Sequence, residues 1–256
     1  EQYLIYRRLF ETMEGRRVTF RTLDLGGDKL LAYYDAGNGE ENPALGLRSI
    51  RFSLRHQDLF QQQLRAVLRA GVGYDELRLM IPMLSSVGEF REARGIRAAC
   101  IDDLRRNDVK CHETPQVGMM VEVPSAVEMI DELAVEADFL CIGTNDLVQY
   151  ILAVDRTNEK VAAHFAPHHP AVLRALRRIA RTGLRRGREV SVCGEMAHQR
   201  AHLPFLLGIG VTTFSVDPLY LPAVQDLVER WATGDARHHA ETLLSESTLS
   251  GVNAAL

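Results

Sequence analysis

Short apolar runs that end in glycine or a polar residue recur along the chain, and segments with apolar residues at helical spacing follow them. The clearest run is Phe139 to Ile142, ended by Gly143. Its length and uniform apolarity suit a strand buried on both faces. Thr144, Asn145 and Asp146 come next, and Leu147 to Ala153 looks helical, so Thr144 or Asn145 is the expected N-cap. A second run begins at Val117 and is interrupted near its end by Glu122. Val123-Pro124 follows, with Ser125 the expected cap of a helix through Leu133.

The rest of the chain repeats this design. Glu1 to Met13 reads as a helix, and Val18 to Leu25 alternates like a strand before the turn Gly26-Gly27-Asp28-Lys29. Tyr33 to Leu47 has little periodicity and is expected to be a long loop, for which a lid is one explanation. Gln57 to Ala70 is a helix ended by glycines. Leu77 to Met83 is a strand, and Ser85 or Ser86 opens a helix from Val87 to about Leu104. After a His-rich turn, Ala171 to Arg186 is helical and Val190 to Glu195 is a strand and turn. Helix Ala201 to Leu207, strand Thr212 to Val216 and helix Pro222 to Trp231 complete the alternation, and the tail after Thr233 is helical at most.

Alternation of this kind predicts parallel strands with right-handed crossovers. Six strands can be read, beginning at Val18, Leu77, Gln116, Phe139, Val190 and Thr212. A closed barrel needs eight. Either two have escaped the reading or the chain is incomplete.

Composition narrows the picture without changing it. The 256 residues and 46% apolar content suit one α/β barrel domain spanning the chain. A net charge of −4 gives no sign of nucleic-acid binding, and the Arg-rich run Arg174 to Arg188 is expected to be a solvated helix face. No apolar run reaches membrane-spanning length and no signal peptide is read. Cys100, Cys111, Cys141 and Cys193 lack CxxC spacing, so free thiols in a reducing cytoplasm are expected.

Polar residues at the C-terminal ends of such strands are where α/β folds place their chemistry. A lone buried Glu is more simply a structural ion pair. Two carboxylates, Glu122 and Asp146, at the ends of successive strands instead suit Mg²⁺ or Mn²⁺ shared with a phosphate or carboxylate substrate. By itself Cys193 reads as a core thiol, and Met119, Met120 and Met129 read as core.

Six ordered motifs carry a family resemblance. They are Arg21-Thr-Leu-Asp-Leu-Gly-Gly-Asp-Lys29, Glu41-Asn-Pro-Ala-Leu-Gly-Leu-Arg48, Gly118-Met-Met-Val-Glu-Val-Pro124, Ile142-Gly-Thr-Asn-Asp-Leu147, Ala153-Val-Asp-Arg156 and Cys193-Gly-Glu-Met-Ala197. From about Ile5 to Trp231 the chain resembles the C-terminal domain of the Enzyme I family, the phosphoenolpyruvate-protein phosphotransferases. Leu45 to Phe52 and the Cys193 motif lean toward the nitrogen-regulatory branch.

The resemblance implies a (β/α)₈ TIM barrel that binds phosphoenolpyruvate and Mg²⁺ and forms a cytoplasmic homodimer. A histidine of an N-terminal domain, not matched here, would take the phosphoryl group and pass it to a small phosphocarrier protein. By the same resemblance Glu122 and Asp146 hold the metal, Arg21, Arg48 and Arg156 contact the substrate's phosphate or carboxylate, Asn145 contacts the phosphate, and Cys193 protonates the enolate carbon. Asp24 and Lys29 are second-rank candidates, and His168-His169 matches a stretch without chemistry.

The family's first two strands, with an arginine that holds the phosphate, have no match, so the chain by itself is expected to bind substrate weakly or not at all. His198-Gln199 and Asp217 depart from the family pattern and are expected to perturb the turn after Cys193 and to add negative charge. The alternatives are a barrel of the pyruvate phosphate dikinase or phosphoenolpyruvate synthase kind, and a non-catalytic sensing or dimerisation module.

Overall fold

The computed structural model describes residues 1–24 and 40–256. The expected Gly26 to Lys29 turn and residues 33–39 of the expected Tyr33 to Leu47 loop lie outside the described residues. The chain divides into two compact units, Glu1–Met119 and Met120–Leu256.

The first unit opens with α1 (Gln2–Met13) and β1 (Val18–Arg21). After a 3₁₀ turn at Pro43–Leu45 come α2 (Ser49–Arg55) and α3 (Gln57–Ala70). Next are β2 (Leu77–Ile81), α4 (Val87–Arg106) and β3 (Gln116–Val121). The three strands are parallel, with Val18 opposite Leu77 and Arg78 opposite Gln116. The first strand is shorter than its alternation predicts, because Leu23 leaves the ladder to donate its N–H to Gln63 Oε1 at 2.9 Å.

Aromatic packing ties the N-terminal helix to this sheet. Phe10 stacks on Tyr74 with ring centroids 4.7 Å apart and meets Phe20 edge-on at 5.3 Å. From the same helix, Arg7 Nη1 donates to the carbonyls of Ala70 and Val72 at 3.3 and 3.0 Å. Ala70 is the last residue of α3, whose final carbonyls lack helical partners.

Ser86 caps α4 in a full capping box: its hydroxyl accepts the Glu89 N–H at 3.2 Å, and Glu89 Oε2 accepts the Ser86 N–H at 3.1 Å. Ser86→Ala is expected to cost about 1 kcal/mol, measured as a lower urea midpoint with an unchanged slope.

The second unit takes the chain from the end of β3 through α5 (Pro124–Glu128), α6 (Ile130–Glu136), β4 (Phe139–Gly143) and α7 (Thr144–Leu152). Then follow α8 (Pro170–Arg185), β5 (Glu189–Cys193), α9 (Leu203–Gly208) and β6 (Thr213–Phe214). Helices α10 (Leu221–Arg230), α11 (Thr233–Ser245) and α12 (Leu249–Ala255) close it. The strands are again parallel, Phe139 facing Glu189 and Ser191 facing Thr213.

Several boundaries differ from expectation. The helix predicted from Ser125 starts at Pro124 with Val123 in the cap position, and it breaks at Met129. Proline needs no N–H at the first helical position and holds the preceding residue extended. Met129, read as core, is 40% exposed at that break, whereas Met119 and Met120 are buried. Strand β6 pairs over two residues only, because β5 ends at Cys193 and Gly194 turns away at φ +91°.

The arginines of α8 stand outward as expected, while Val172, Leu176 and Ile179 are buried. Arg178 pairs with Glu128 at 2.8 Å and Arg185 with Asp131 at 2.9 Å, exposed contacts worth under about 1 kcal/mol each. His169 Nδ1 accepts the Ala171 N–H and so caps α8.

His202 lies buried just before α9, its ring stacked on His168 with centroids 5.8 Å apart. Burial first, and then His168, push its imidazole down to about 4. In the unfolded chain the same ring takes a proton near pH ~6.5. Folded stability is therefore full above that pH, falls as pH drops toward about 4, and is constant below. His202→Phe is expected to remove about 3 kcal/mol of that pH dependence, seen as a flatter plot of unfolding free energy against pH.

No helix among the described residues is long and apolar enough to cross a membrane.

Candidate active site

In the second unit the candidate residues sit where β3, β4 and β5 end. Glu122 follows β3 directly and is 2% exposed. The extended Val123 before Pro124 separates it from α5, so the carboxylate belongs to the strand end rather than the helix. Strand β4 passes into α7 with no loop, placing Asp146, 8% exposed, in the first helical turn. Between the two strand ends Gly143 leaves room: a Cβ there would lie 2.6 Å from Glu122 Oε2 and 2.9 Å from Met120 Sδ.

Neither Thr144 nor Asn145 caps α7, contrary to expectation. Gly143 occupies the cap position without a side-chain hydrogen bond. Both polar side chains are used on the neighbouring strand end instead. Thr144 Oγ1 donates to the Cys193 carbonyl at 2.8 Å, and Asn145 Oδ1 accepts the Glu195 N–H at 3.0 Å. With Oδ1 engaged, the amide's NH₂ is the end that suits an anion such as phosphate.

These two bonds bracket Gly194, whose φ of +91° other residues rarely adopt. A Cβ at this glycine would come within 2.4 Å of Thr144 Oγ1 and 2.9 Å of Asn145 Oδ1. Gly194→Ala is therefore expected to break one or both bonds and destabilise the unit by about 2–4 kcal/mol. Thermal unfolding would measure the loss, and Asn145→Ala in the same background should add less than it does alone.

Cys193 is the last residue of β5 and is half-buried. Its Sγ lies 3.5 Å from the Ile142 carbonyl oxygen and 3.6 Å from Cys141 Sγ. Arg156 returns to the same region because Ala153, left-handed at φ 53°, ends α7 and turns the chain back. Gln149 Oε1 accepts the Arg156 N–H at 3.2 Å, and Arg156 Nη1 reaches Asp146 Oδ1 at 3.4 Å. The structure thus links Glu122, Asn145, Asp146, Arg156 and Cys193 within one unit through Gly143, Thr144 and Gln149.

Next to Arg156, the Asp155 carboxyl is held below its usual range by the Thr157 hydroxyl and then the Thr157 N–H. This small turn fixes the loop without entering the site.

In the first unit Arg21 and Arg48 share one carboxylate. Asp24 Oδ2 lies 2.9 Å from Arg21 Nη1, and Asp24 Oδ1 lies 3.5 Å from Arg48 Nη2. The Ser49 hydroxyl also donates to Asp24, from a residue held at φ 53°. Guanidinium groups of this kind suit bidentate contact with an anionic group. Arg21 is about half exposed at its side chain and Arg48 mostly buried. Lys29 lies outside the described residues.

Sequence reasoning missed Thr144, Gln149 and Ser49 as parts of these arrangements. Thr144 carried a signal, a polar residue after a buried strand, but it was read as a helix cap. Of the departures, His198 stacks on Tyr220 with ring centroids 3.9 Å apart, and α9 begins two residues later than expected. Asp217 Oδ1 accepts the Leu219 N–H and caps the turn after β6.

Two buried carboxylates offer hard oxygen donors, a set that fits Mg²⁺ when substrate and water oxygens complete the octahedron. Among the described residues no group of three or more His, Cys, Asp or Glu is placed to hold a metal alone.

Residues 1–233 match the family described as PEP-utilising enzyme, PEP-binding domain. The chain is 42% identical over 252 residues to a phosphoenolpyruvate-protein phosphotransferase of Priestia megaterium, covering 98% of this chain and 44% of that protein. Proteins of the same name from Geobacillus stearothermophilus and Bacillus subtilis (strain 168) are 42% and 40% identical over the same share of this chain, and 43% and 44% of theirs. The chain therefore spans less than half the length of these curated relatives. By structure it resembles a citrate lyase from Burkholderia xenovorans LB400, with a TM-score of 0.51 at 14% identity over 99% of this chain and 92% of that one. That likeness concerns the fold alone.

Proposed function

Since the chain belongs to the family of PEP-binding domains of PEP-utilising enzymes, we propose that it is the phosphoenolpyruvate-binding barrel of a phosphoenolpyruvate-protein phosphotransferase. The whole protein would move the phosphoryl group of phosphoenolpyruvate, with Mg²⁺, to a histidine of an N-terminal domain and on to a small phosphocarrier protein. Pyruvate is the other product.

The observation that carries this reading is the pair of bonds that fix Cys193 and Glu195 to Thr144 and Asn145. They hold the turn that carries the Cys193 thiol against the Asn145 amide, beside the buried carboxylate of Asp146 in the same first turn of α7. Transfer breaks the bond between phosphorus and the enol oxygen and leaves pyruvate enolate, which needs a proton at C3. The Cys193 thiol supplies it and recovers a proton from water, since a thiol of ordinary pKa near ~8.5 is largely protonated at neutral pH.

Asn145 and Arg156 orient the phosphate and offset the charge gathering on its oxygens. Arg21 and Arg48 are proposed as further guanidinium contacts to phosphate or carboxylate, on the motif match and their shared position on Asp24. Glu122 and Asp146 would hold Mg²⁺, which polarises phosphate oxygens when bound.

A homodimer in the cytoplasm and the nitrogen-regulatory branch belong to the same proposal. Light scattering should give twice the monomer mass, and a monodisperse monomer would count against the dimer. Incubation of the full-length protein with ³²P-phosphoenolpyruvate tests the function itself: acid-labile label on the protein supports transfer. Ligand binding without label would instead favour a sensing module.

A further inference from the structure

Two thiols of the second unit meet: Cys193 of the proposed chemistry and Cys141, for which that chemistry has no role. In the β4–β5 pair Cys193 faces Gly143 and Cys141 faces Ser191, so the cysteines are diagonal neighbours, and residues two apart share a sheet face. The residue opposite Cys193 has no side chain. Glu122 Oε2 and Met120 Sδ fill the space near Gly143 where a Cβ would stand. Cys193 leans back along the strand, and its Sγ comes to rest 3.6 Å from Cys141 Sγ. The Cys141 side chain is buried at 3% exposure while Cys193 is half-buried, so an oxidant from solvent meets Cys193 first.

We propose that Cys193 and Cys141 form a dithiol modification site for hydrogen peroxide, with Cys193 the attacking and Cys141 the resolving sulfur. In the first step the Cys193 thiolate attacks one peroxide oxygen. An S–O bond forms, the O–O bond breaks, and the departing hydroxide takes a proton to become water. Cys193 is then a sulfenic acid. In the second step the Cys141 thiolate attacks that sulfur, the S–S bond forms, and the S–O bond breaks with loss of a second water. Two thiols are oxidised by two electrons in all, and one hydrogen peroxide is reduced. Forming the bond brings the two sulfurs from 3.6 Å to a covalent distance of roughly 2.05 Å, which requires the two strands to shift locally.

The other two cysteines serve as internal controls. Burial is the main cause that pushes the thiols of both Cys100 and Cys111 up, which lowers their thiolate fraction and their reactivity toward peroxide.

The proposal stands whether or not Cys193 is a catalytic acid. The link to activity rests on that reading: a disulfide leaves Cys193 without a proton to give, so thiol reduction would switch activity on.

Hydrogen peroxide treatment of the chain, quenching with catalase, and intact-mass and peptide analysis test it. The expected result is loss of two hydrogens and of two of its four alkylatable thiols. A crosslinked peptide pair containing Cys141 and Cys193 should appear, and dithiothreitol should restore the thiols. Cys141→Ser and Cys141→Ala, two variants in case one packs poorly, should gain oxygen on Cys193 instead, and dithiothreitol should not reverse the higher oxides. Oxygen addition without crosslinking in the parent chain, a crosslink through Cys100 or Cys111, or no reaction at all would overturn the pair. A crosslink that forms without changing proton delivery to pyruvate would leave the pair standing and remove Cys193 from the proposed chemistry.

Discussion

Cys193→Ala is expected to leave phosphoenolpyruvate binding by the full-length protein nearly unchanged and to lower proton transfer at C3 by about 10²–10⁴-fold, the usual share of a general acid or base. The reverse of that step gives a clean readout. With pyruvate, Mg²⁺ and protein in D₂O, the methyl protons should exchange for deuterium in the parent protein and stop exchanging in the variant. Cys193→Ser keeps the size of the side chain but replaces the thiol with a far weaker acid, so it should fail almost as badly. The distinction matters because a packing role would be rescued by serine. The thiol is at a strand end, half-buried, in a turn pinned by Thr144 and Asn145, and removing the sulfur leaves those pins intact.

Glu122→Gln and Asp146→Asn carry the second large effect. Each is expected to weaken Mg²⁺ by at least about 10–100-fold, the loss already seen when only the groups behind a ligand are changed. Titration of Mn²⁺ followed by its paramagnetic signal would report this without any turnover. Glu122 is 2% exposed and is engaged by a partner in the metal-free protein, so Glu122→Gln should lower metal-free stability. In the same variant the rise in melting temperature on adding Mg²⁺ should vanish. A carboxylate with a purely structural role would show the same loss of metal-free stability, but the Mg²⁺ response would persist.

Much of this was legible in the residues because the strong signals are local. The Phe139–Gly143 run, the Ser86-x-x-Glu89 box and the 3.6-residue period of α3 each depend on neighbours in sequence. Six parallel strands among the described residues follow the count read from the chain. What could not be read depends on partners far along the chain. Thr144 and Asn145 look like helix caps until the β5 turn is placed 49 and 50 residues away, where it takes both side chains. Met129 looked like core because its neighbours are apolar, yet it falls at the break between α5 and α6. The α2 helix went unread, since only seven residues carry it and Arg48 before it offers no capping side chain. The meeting of Cys141 with Cys193 needed the β4–β5 register, which no spacing in the sequence announces.

Calorimetric titration of phosphoenolpyruvate into the full-length protein decides whether the second unit's strand ends bind the ligand together with Mg²⁺. Heat of binding that appears with Mg²⁺, falls away with a chelator, and is lost in Asp146→Asn is the predicted result. Binding of equal strength with chelator present, or an unaltered isotherm for Asp146→Asn, would contradict it.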